Sequence, residues 1–112
     1  MKCILLIRND IKMTTGKIIS QVSHALIKML AKANKKKIKK WKSEGEKIVS
    51  LKVKSEEELL FYVDNAKEYN LFSHIVMDAG KTQISSGTYT IGIIGPDAEY
   101  KIDTITQHLH LF

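Results

Sequence analysis

Polar residues at helical spacing form the first group in the sequence that could do chemistry. Residues 16–25 read GKIISQVSHA, and at about 100° per residue four polar side chains share one narrow arc of a helix: Lys17, Gln21, His24 and Lys28. Such an arc is most often only a solvated helix face. Lys17, however, lies in the first turn, where the helix dipole disfavours a cation. Beside free backbone N–H groups, a lysine there makes a site for a phosphate, a carboxylate or a developing oxyanion.

A second polar group follows an apolar segment in the last third of the chain. Residues 78–84 read DAGKTQI, so Asp78 ends the apolar segment and Thr82 and Gln83 come in the loop after it. Alone, Asp78 would be a turn residue that accepts hydrogen bonds from the next backbone N–H groups. Together with the lysine and glutamine of the first group, these side chains supply a cation, a carboxylate, a hydroxyl and amides. That set can position a water molecule, accept its proton and stabilise an oxyanion.

Alternating strands and helices are expected to bring the two groups together. Apolar and alternating segments predict strands at residues 2–9, 47–53, 72–78 and 88–94. Periodic and capping patterns predict helices at residues 15–33, 35–43, 55–69 and, after a break at Gly95-Pro96, from Asp97 as N-cap to about 108. The nine residues between the last two strands are too few for a parallel crossover, so these strands are expected to be antiparallel neighbours. The predicted fold is one α/β domain, residues 1–112, with a mixed sheet between helices on both faces.

Apolar spacing also predicts which side chains are buried. On the first helix, the predicted core positions are Ile18, Ile19, Val22, Ala25, Leu26, Met29, Leu30 and Ala33. On the third helix, after a capping box that begins at Ser55, they are Leu59, Leu60, Val63 and Ala66. Ile38 and Trp41 are expected to hold the second helix against the core. Cys3, in the first strand, is interpreted as a buried structural thiol.

Positive charge is concentrated in one part of the chain. The net charge is +6, yet residues 28–54 hold eleven lysines against two glutamates, whereas the rest of the chain is slightly acidic. Such a patch is typical of a polyanion partner, most often nucleic acid, although a solvated helix end is the alternative. The lysines expected to contact phosphates are Lys28, Lys35, Lys36, Lys37, Lys39, Lys40 and Lys42.

Several classes of function are not favoured by the sequence. No metal site is expected, because the histidines lack ligand spacing with a second cysteine or an acidic cluster. A nucleotide cofactor is not expected either, since the glycines do not form a phosphate-loop pattern. No segment approaches the roughly 20 apolar residues of a membrane span. A single cysteine suits a reducing compartment, so a cytoplasmic location is expected.

The two polar groups resemble the two signature motifs of the type 2 peptidyl-tRNA hydrolases. The first family motif, Gly-Lys-x-Ala-Ala-Gln-x-Ser-His-Ala, corresponds to Gly16 through Ala25. The second, Asp-Ala-Gly-x-Thr-Gln-Ile followed by a Gly-Ser/Thr turn, corresponds to Asp78 through Ile84 and then Gly87. Two motifs in the correct order and at the correct distance are a specific match, and the resemblance extends over almost the whole chain.

This resemblance implies hydrolysis of the ester that joins a peptide to the terminal ribose of tRNA. It also implies a four-stranded mixed sheet in a three-layer α/β/α arrangement, no cofactor and a possible homodimer. The catalytic residues that it implies by position are Lys17, Gln21, His24, Asp78, Thr82 and Gln83. In this interpretation Asp78 orients or deprotonates the water, Lys17 stabilises the oxyanion or binds the terminal phosphate, and Gln21 positions the ester.

The chain departs from the family pattern at Ile19 and Ser20, where the motif has two alanines. Neither change removes a group that the resemblance implies to be catalytic. Two other functions are compatible with the residues. One is a non-catalytic RNA-binding or adaptor domain of the same fold, and the other is an esterase that acts on other acylated RNAs, including D-aminoacyl-tRNA.

Overall fold

A mixed four-stranded sheet is the centre of the computed structural model, which describes residues 1–78 and 87–112. The strands are β1 (Lys2–Arg8), β2 (Ile48–Val53), β3 (Ser73–Met77) and β4 (Tyr89–Asp97). The helices are α1 (Thr15–Lys32), α2 (Lys35–Ser43), α3 (Glu56–Glu68) and α4 (Glu99–Thr106). Each predicted element is present. None of the helices in the described part of the chain is long and apolar enough to cross a membrane.

The strand order is β2-β1-β4-β3, with β1 parallel to β2 and β4 antiparallel to both β1 and β3. The predicted mixed sheet and the antiparallel last pair are therefore confirmed. In this arrangement β1, β2 and β3 all end at the edge where β4 begins. We call this edge the site edge, and it is marked by Arg8, Val53, Met77 and Tyr89. The opposite edge, where β1 begins and β4 ends, is the far edge.

Helices cover both faces of the sheet, as the three-layer prediction requires. One core cluster joins α1 and α2 to the sheet through Cys3, Leu5, Ile7, Ala25, Met29, Ala33, Ile38, Trp41, Val76, Ile91 and Ile93. The other joins α3 and α4 to the opposite face and includes Ile4, Leu6, Leu59, Val63, Ala66, Ile94, Ile102 and Ile105. Cys3 is completely buried in the first of these clusters, which confirms the prediction of a buried thiol, and burial raises its pKa to about 12.

The buried stripe of α1 is narrower than predicted. Ile19 and Leu30 are 60% and 42% exposed, so their assignment to the core face was wrong. Both lie about 120–140° around the helix from Ala25, which is completely buried. The residues of α1 that are fully buried are Gln21, Ala25 and Met29, four residues apart. A helix packed on a sheet through one such line leaves its flanks in contact with solvent.

The end of β4 also differs from the prediction. The expected break at Gly95-Pro96 is wrong, because β4 continues through this pair to Asp97. A change of register opposite the start of β1 and a φ of +98° at Gly95 allow proline within an interior strand. Asp97 is not the N-cap of α4. Ala98 occupies that position without a side-chain hydrogen bond, and α4 ends at Thr106.

Helix α2 is attached to the far edge by two apolar side chains and one ion pair. Ile38 and Trp41 are buried, and the Trp41 indole N–H donates to the Lys47 carbonyl at 2.9 Å. These contacts confirm the predicted anchoring role of the two residues. The Lys37 ammonium donates to the buried carboxylate of Asp97, so this lysine of the predicted phosphate-binding set has an acidic partner within the protein.

Acidification is expected to weaken the attachment of α2. Burial acts to raise the pKa of Asp97. Hydrogen bonds from Lys37 and from the Ala98 N–H, together with the positive charges of Lys37 and Lys101, lower it by more than burial raises it. The pKa of Asp97 therefore lies below its ordinary value. A carboxyl with a lowered folded-state pKa contributes stability that is present above its unfolded pKa, about 3.9, and lost as pH falls through the folded pKa. The free energy of unfolding, measured by urea denaturation at pH values from about 5 downwards, should therefore decrease less steeply with falling pH in Lys37→Met than in wild type. Lys36→Met is the control, and equal slopes in wild type and Lys37→Met would contradict this role of the ion pair.

Candidate active site

An ion pair at the site edge joins the two polar groups that the sequence singles out. The Lys17 ammonium, from the first turn of α1, donates to the carboxylate of Asp78 at the end of β3. The two residues are 61 positions apart in the chain. Their side chains are only 10% and 1% exposed, respectively. The structure thus brings together the predicted cation and the predicted carboxylate in a place largely shielded from water.

The start of α1 is held by its N-cap and is open to solvent. Thr14 is the N-cap, with its hydroxyl accepting from the Lys17 N–H at 3.2 Å. The N–H groups of Thr15 and Gly16 belong to the first turn and have no acceptor within the helix. A Cβ placed on Gly16 would meet no atom of residues 1–78 and 87–112 within 4 Å. An anionic group can therefore approach the positive end of α1 next to Lys17.

Asp78 is held by backbone hydrogen bonds on both sides of its Cα. Its N–H donates to the Thr88 carbonyl at 2.8 Å, and its carbonyl accepts from the Gly87 N–H at 3.1 Å. These bonds close the β3–β4 connection directly after the last paired residues of the two strands. The position of the carboxylate thus follows from the sheet itself.

A buried hydrogen-bond chain lies next to the ion pair. Gln21 Nε2 donates to Thr90 Oγ1 at 2.8 Å, and Thr90 Oγ1 donates to the Val76 carbonyl at 3.3 Å. The pairing register changes here, since Val76 and Met77 face Ile91 and Tyr89 and leave Thr90 as an extra residue in β4. Bulges next to functional sites commonly redirect a side chain in this way. Gln21 is 3% exposed, so it faces the sheet and not solvent.

A second ion pair holds the loop that leads into α1. Arg8 donates to both carboxylate oxygens of Asp10, at 2.9 and 2.7 Å, and to the Tyr89 carbonyl at 2.9 Å. The hydrogen bond from Arg8 lowers the pKa of Asp10, and the same bond raises the pKa of Arg8. Arg8 therefore links this loop to the start of β4. Arg8 and Asp10 were not predicted to be site residues, although two opposite charges two positions apart at the end of an apolar strand were a usable signal.

The remaining predicted residues are not part of the Lys17–Asp78 pair. His24 is exposed about 10 Å further along α1, and makes no hydrogen bond or ion pair within residues 1–78 and 87–112. With Lys28, His74 and Met77, it lines a cleft of about 370 Å³ between α1 and β3. Burial, followed by the positive charges of Lys28, Lys32 and Lys67, lowers the pKa of His74. Thr82 and Gln83 lie outside the described residues.

The comparison with known families agrees with this geometry. A family model described as peptidyl-tRNA hydrolase PTH2 matches residues 1–112, the whole chain. The chain belongs to this family. The predicted membership of the peptidyl-tRNA hydrolase family is thereby confirmed.

Individual members of the peptidyl-tRNA hydrolase PTH2 family are similar over the full length of the chain. The chain is 44% identical over 111 residues to the peptidyl-tRNA hydrolase of Methanothermobacter thermautotrophicus, with 99% of both chains covered. It is 42% identical over 114 residues to that of Methanocaldococcus jannaschii, again with 99% of both covered. Its identity to the human protein named peptidyl-tRNA hydrolase 2, mitochondrial, is 39% over 114 residues, which cover 99% of this chain and 64% of the human one.

Proposed function

We propose that this protein hydrolyses peptidyl-tRNA and releases the free peptide and the free tRNA. The observation that carries this proposal is the shielded Lys17–Asp78 ion pair, which lies at the open N-terminus of α1 in a chain that matches the family from end to end. Full-length relatives named peptidyl-tRNA hydrolase in archaea support the same reaction. The protein is accordingly an ester hydrolase.

The reaction requires a water molecule, a proton acceptor and a group that stabilises negative charge. In our proposal, Asp78 accepts a proton from the water, whose oxygen attacks the carbonyl carbon of the ester. Lys17 and the free N–H groups of the first turn of α1 stabilise the oxyanion of the tetrahedral intermediate. The bond from the acyl carbon to the ribose oxygen then breaks, and that oxygen takes up the proton that Asp78 accepted from the water, which restores the carboxylate. No step of this sequence needs a metal ion or a nucleotide.

The other site residues have supporting roles in this proposal. Gln21 uses its amide N–H to hold Thr90, so we assign it to positioning α1 against β4 and not to direct contact with the ester. His24 makes no hydrogen bond or ion pair with Lys17 or Asp78 and lines the neighbouring cleft with Met77, so we assign it to substrate orientation. Participation of Thr82 and Gln83 stays a prediction.

A non-catalytic RNA-binding domain is the alternative, and the ion pair argues against it. Removing two charges from water costs several kcal/mol per ion before their attraction is counted. A domain that only binds RNA gains nothing from a shielded carboxylate at the end of β3. Binding would need cations on the surface, which the chain has elsewhere.

The proposed reaction is tested with blocked and unblocked substrates, without added metal or nucleotide. Release of tRNA from N-acetyl-aminoacyl-tRNA, with much slower release from aminoacyl-tRNA that has a free amino group, is the expected result. Equal cleavage of both would favour an esterase with broader or D-aminoacyl specificity. Salt-sensitive tRNA binding without release would favour the adaptor. A homodimer and a cytoplasmic location stay predictions.

A further inference from the structure

The far edge carries an exposed cationic surface made by the end of α1 and by α2. Its members are exposed lysines, and we call them the far-edge lysines: Lys32, Lys35, Lys36, Lys39, Lys40 and Lys42. Helix α2 presents them outward because Ile38 and Trp41 turn its opposite side to the core. They face solvent on the same side of the sheet as the start of α1.

Four acidic groups at the far edge are engaged by other cations, whereas the exposed Glu46, three residues after α2, makes no ion pair within residues 1–78 and 87–112. Lys37 binds Asp97, and the N-terminal ammonium binds Glu44 at 2.9 Å. At the same edge Lys47 binds Glu99 at 2.9 Å, and a further ion pair is made by Lys2 with Asp103. None of the far-edge lysines makes an ion pair within residues 1–78 and 87–112. Like charges at this density repel one another, so the surface is suited to a partner with several negative charges.

The surface is far from the proposed catalytic pair. Lys17 and Lys32 are near opposite ends of α1, and 15 residues at 1.5 Å each put them about 22 Å apart along the helix axis. Lys28 lies between them, about 16 Å from Lys17. At roughly 3.4 Å per nucleotide along one strand of a duplex, 22 Å corresponds to about six nucleotides. A nucleic acid that is held at Lys17 by its 3′ end would thus reach the far-edge lysines with its paired stem and not with its last nucleotides.

We propose that the far-edge lysines bind phosphates of the paired acceptor stem of tRNA, with Lys28 in contact midway between stem and ester. This inference rests on the proposed function, which places the 3′-terminal ester at Lys17 and Asp78. A nucleic acid fits better than an acidic protein, because the proposed substrate carries a phosphate backbone away from the ester, and Lys28 and Lys32 continue along α1 from the catalytic pair to this surface. The lysines therefore contribute to substrate binding and not to the chemical step.

The test uses two variants that remove the same number of charges. Lys36→Gln/Lys40→Gln changes two exposed lysines of α2, whereas Lys52→Gln/Lys54→Gln changes two exposed lysines in β2 and directly after it. Both are assayed with N-acetyl-aminoacyl-tRNA and with the same acyl group on adenosine alone. For the tRNA substrate, the α2 variant should have a KM on the order of tenfold higher than wild type, with kcat unchanged. The slope of the logarithm of tRNA affinity against the logarithm of salt concentration should become less steep by about 1.4–1.8 between about 50 and 200 mM salt. Cleavage of the adenosine ester should not change.

Binding of uncharged tRNA separates this inference from the proposed function. If the wild-type protein cleaves neither substrate, the proposed function is wrong. A loss of tRNA affinity in the α2 variant alone would even then support the binding of tRNA phosphates by the far-edge lysines. Equal effects of the two variants on tRNA affinity would contradict a specific role of the far-edge lysines in phosphate binding, because the change in net charge alone would then explain both effects. An equal effect of the α2 variant on the tRNA substrate and on the adenosine ester would also overturn it.

Discussion

Replacing Lys17 with methionine is expected to lower kcat/KM for N-acetyl-aminoacyl-tRNA by about 10²–10³-fold, equivalent to about 3–4 kcal/mol of transition-state stabilisation. The ammonium of Lys17 is shielded from water, and its position is set by Asp78 on one side and by the first turn of α1 on the other. A charge held in this way stabilises a developing oxyanion without having to reorganise. Steady-state rates of tRNA release at several substrate concentrations give the value directly.

The matched control is Lys28→Met, which removes the same charge from the same side of α1, about 16 Å from Lys17. It should raise KM modestly and leave kcat unchanged, because Lys28 is too far away to contact the ester. Lys17→Met must also remain folded, which its thermal unfolding will show. Equal values of kcat for Lys17→Met and Lys28→Met would contradict a role for Lys17 in the chemical step.

Gly92→Ala is expected to lower the free energy of unfolding by about 2 kcal/mol. A Cβ at Gly92 would lie 2.8 Å from Leu59 Cδ1 and 2.9 Å from Val63 Cγ2, closer than such atoms approach in folded proteins. Both side chains are completely buried, so neither can move away without disturbing the packing of α3 on the sheet. Urea denaturation of wild type and variant measures the difference.

Gly16→Ala serves as the control, since a Cβ there meets no atom of the described residues within 4 Å and the position lies in a helix. Alanine should be neutral at this position or stabilise the fold by up to about 1 kcal/mol. In the double variant Leu59→Ala/Gly92→Ala, the total loss should be smaller than the sum of the two single losses, because the space left by Leu59 accepts the new methyl group. A fully additive result would indicate that the close approach of α3 to Gly92 is not the cause.

Much of the fold followed from hydrophobic periodicity. The four helices and four strands were predicted because each has a consistent local pattern, and the short last connection determined that β3 and β4 are antiparallel. The wrong predictions concern positions where tertiary packing, and not the local sequence pattern, determines the structure. Proline normally ends a strand, but the bulge in β4 lets Pro96 remain within it. The apolar arc of α1 was predicted too wide, because hydrophobicity alone does not show how narrow the contact with the sheet is.

The candidate site also contains some residues that the local sequence predicts and others whose positions depend on tertiary structure. Lys17 could be predicted because a lysine is unusual in the first turn of a helix, and Asp78 because it complements Lys17 and lies in the second motif; the sheet topology then brings the two together. The role of Thr90 could not be predicted, because its position depends on a change of register in β4 that an alternating sequence does not reveal. Gln21 was assigned to a polar stripe by its angle around α1. Its burial follows from the partner that Thr90 provides.

The most direct test of Asp78 as the proton acceptor is a single-turnover measurement. Excess wild-type or Asp78→Asn protein is mixed with N-acetyl-aminoacyl-tRNA, so that substrate affinity no longer influences the rate of tRNA release. We expect the rate constant of Asp78→Asn to be at least about 100-fold below that of wild type. An unchanged rate constant in a folded Asp78→Asn variant that still binds tRNA would show that the carboxylate does not take part in ester hydrolysis.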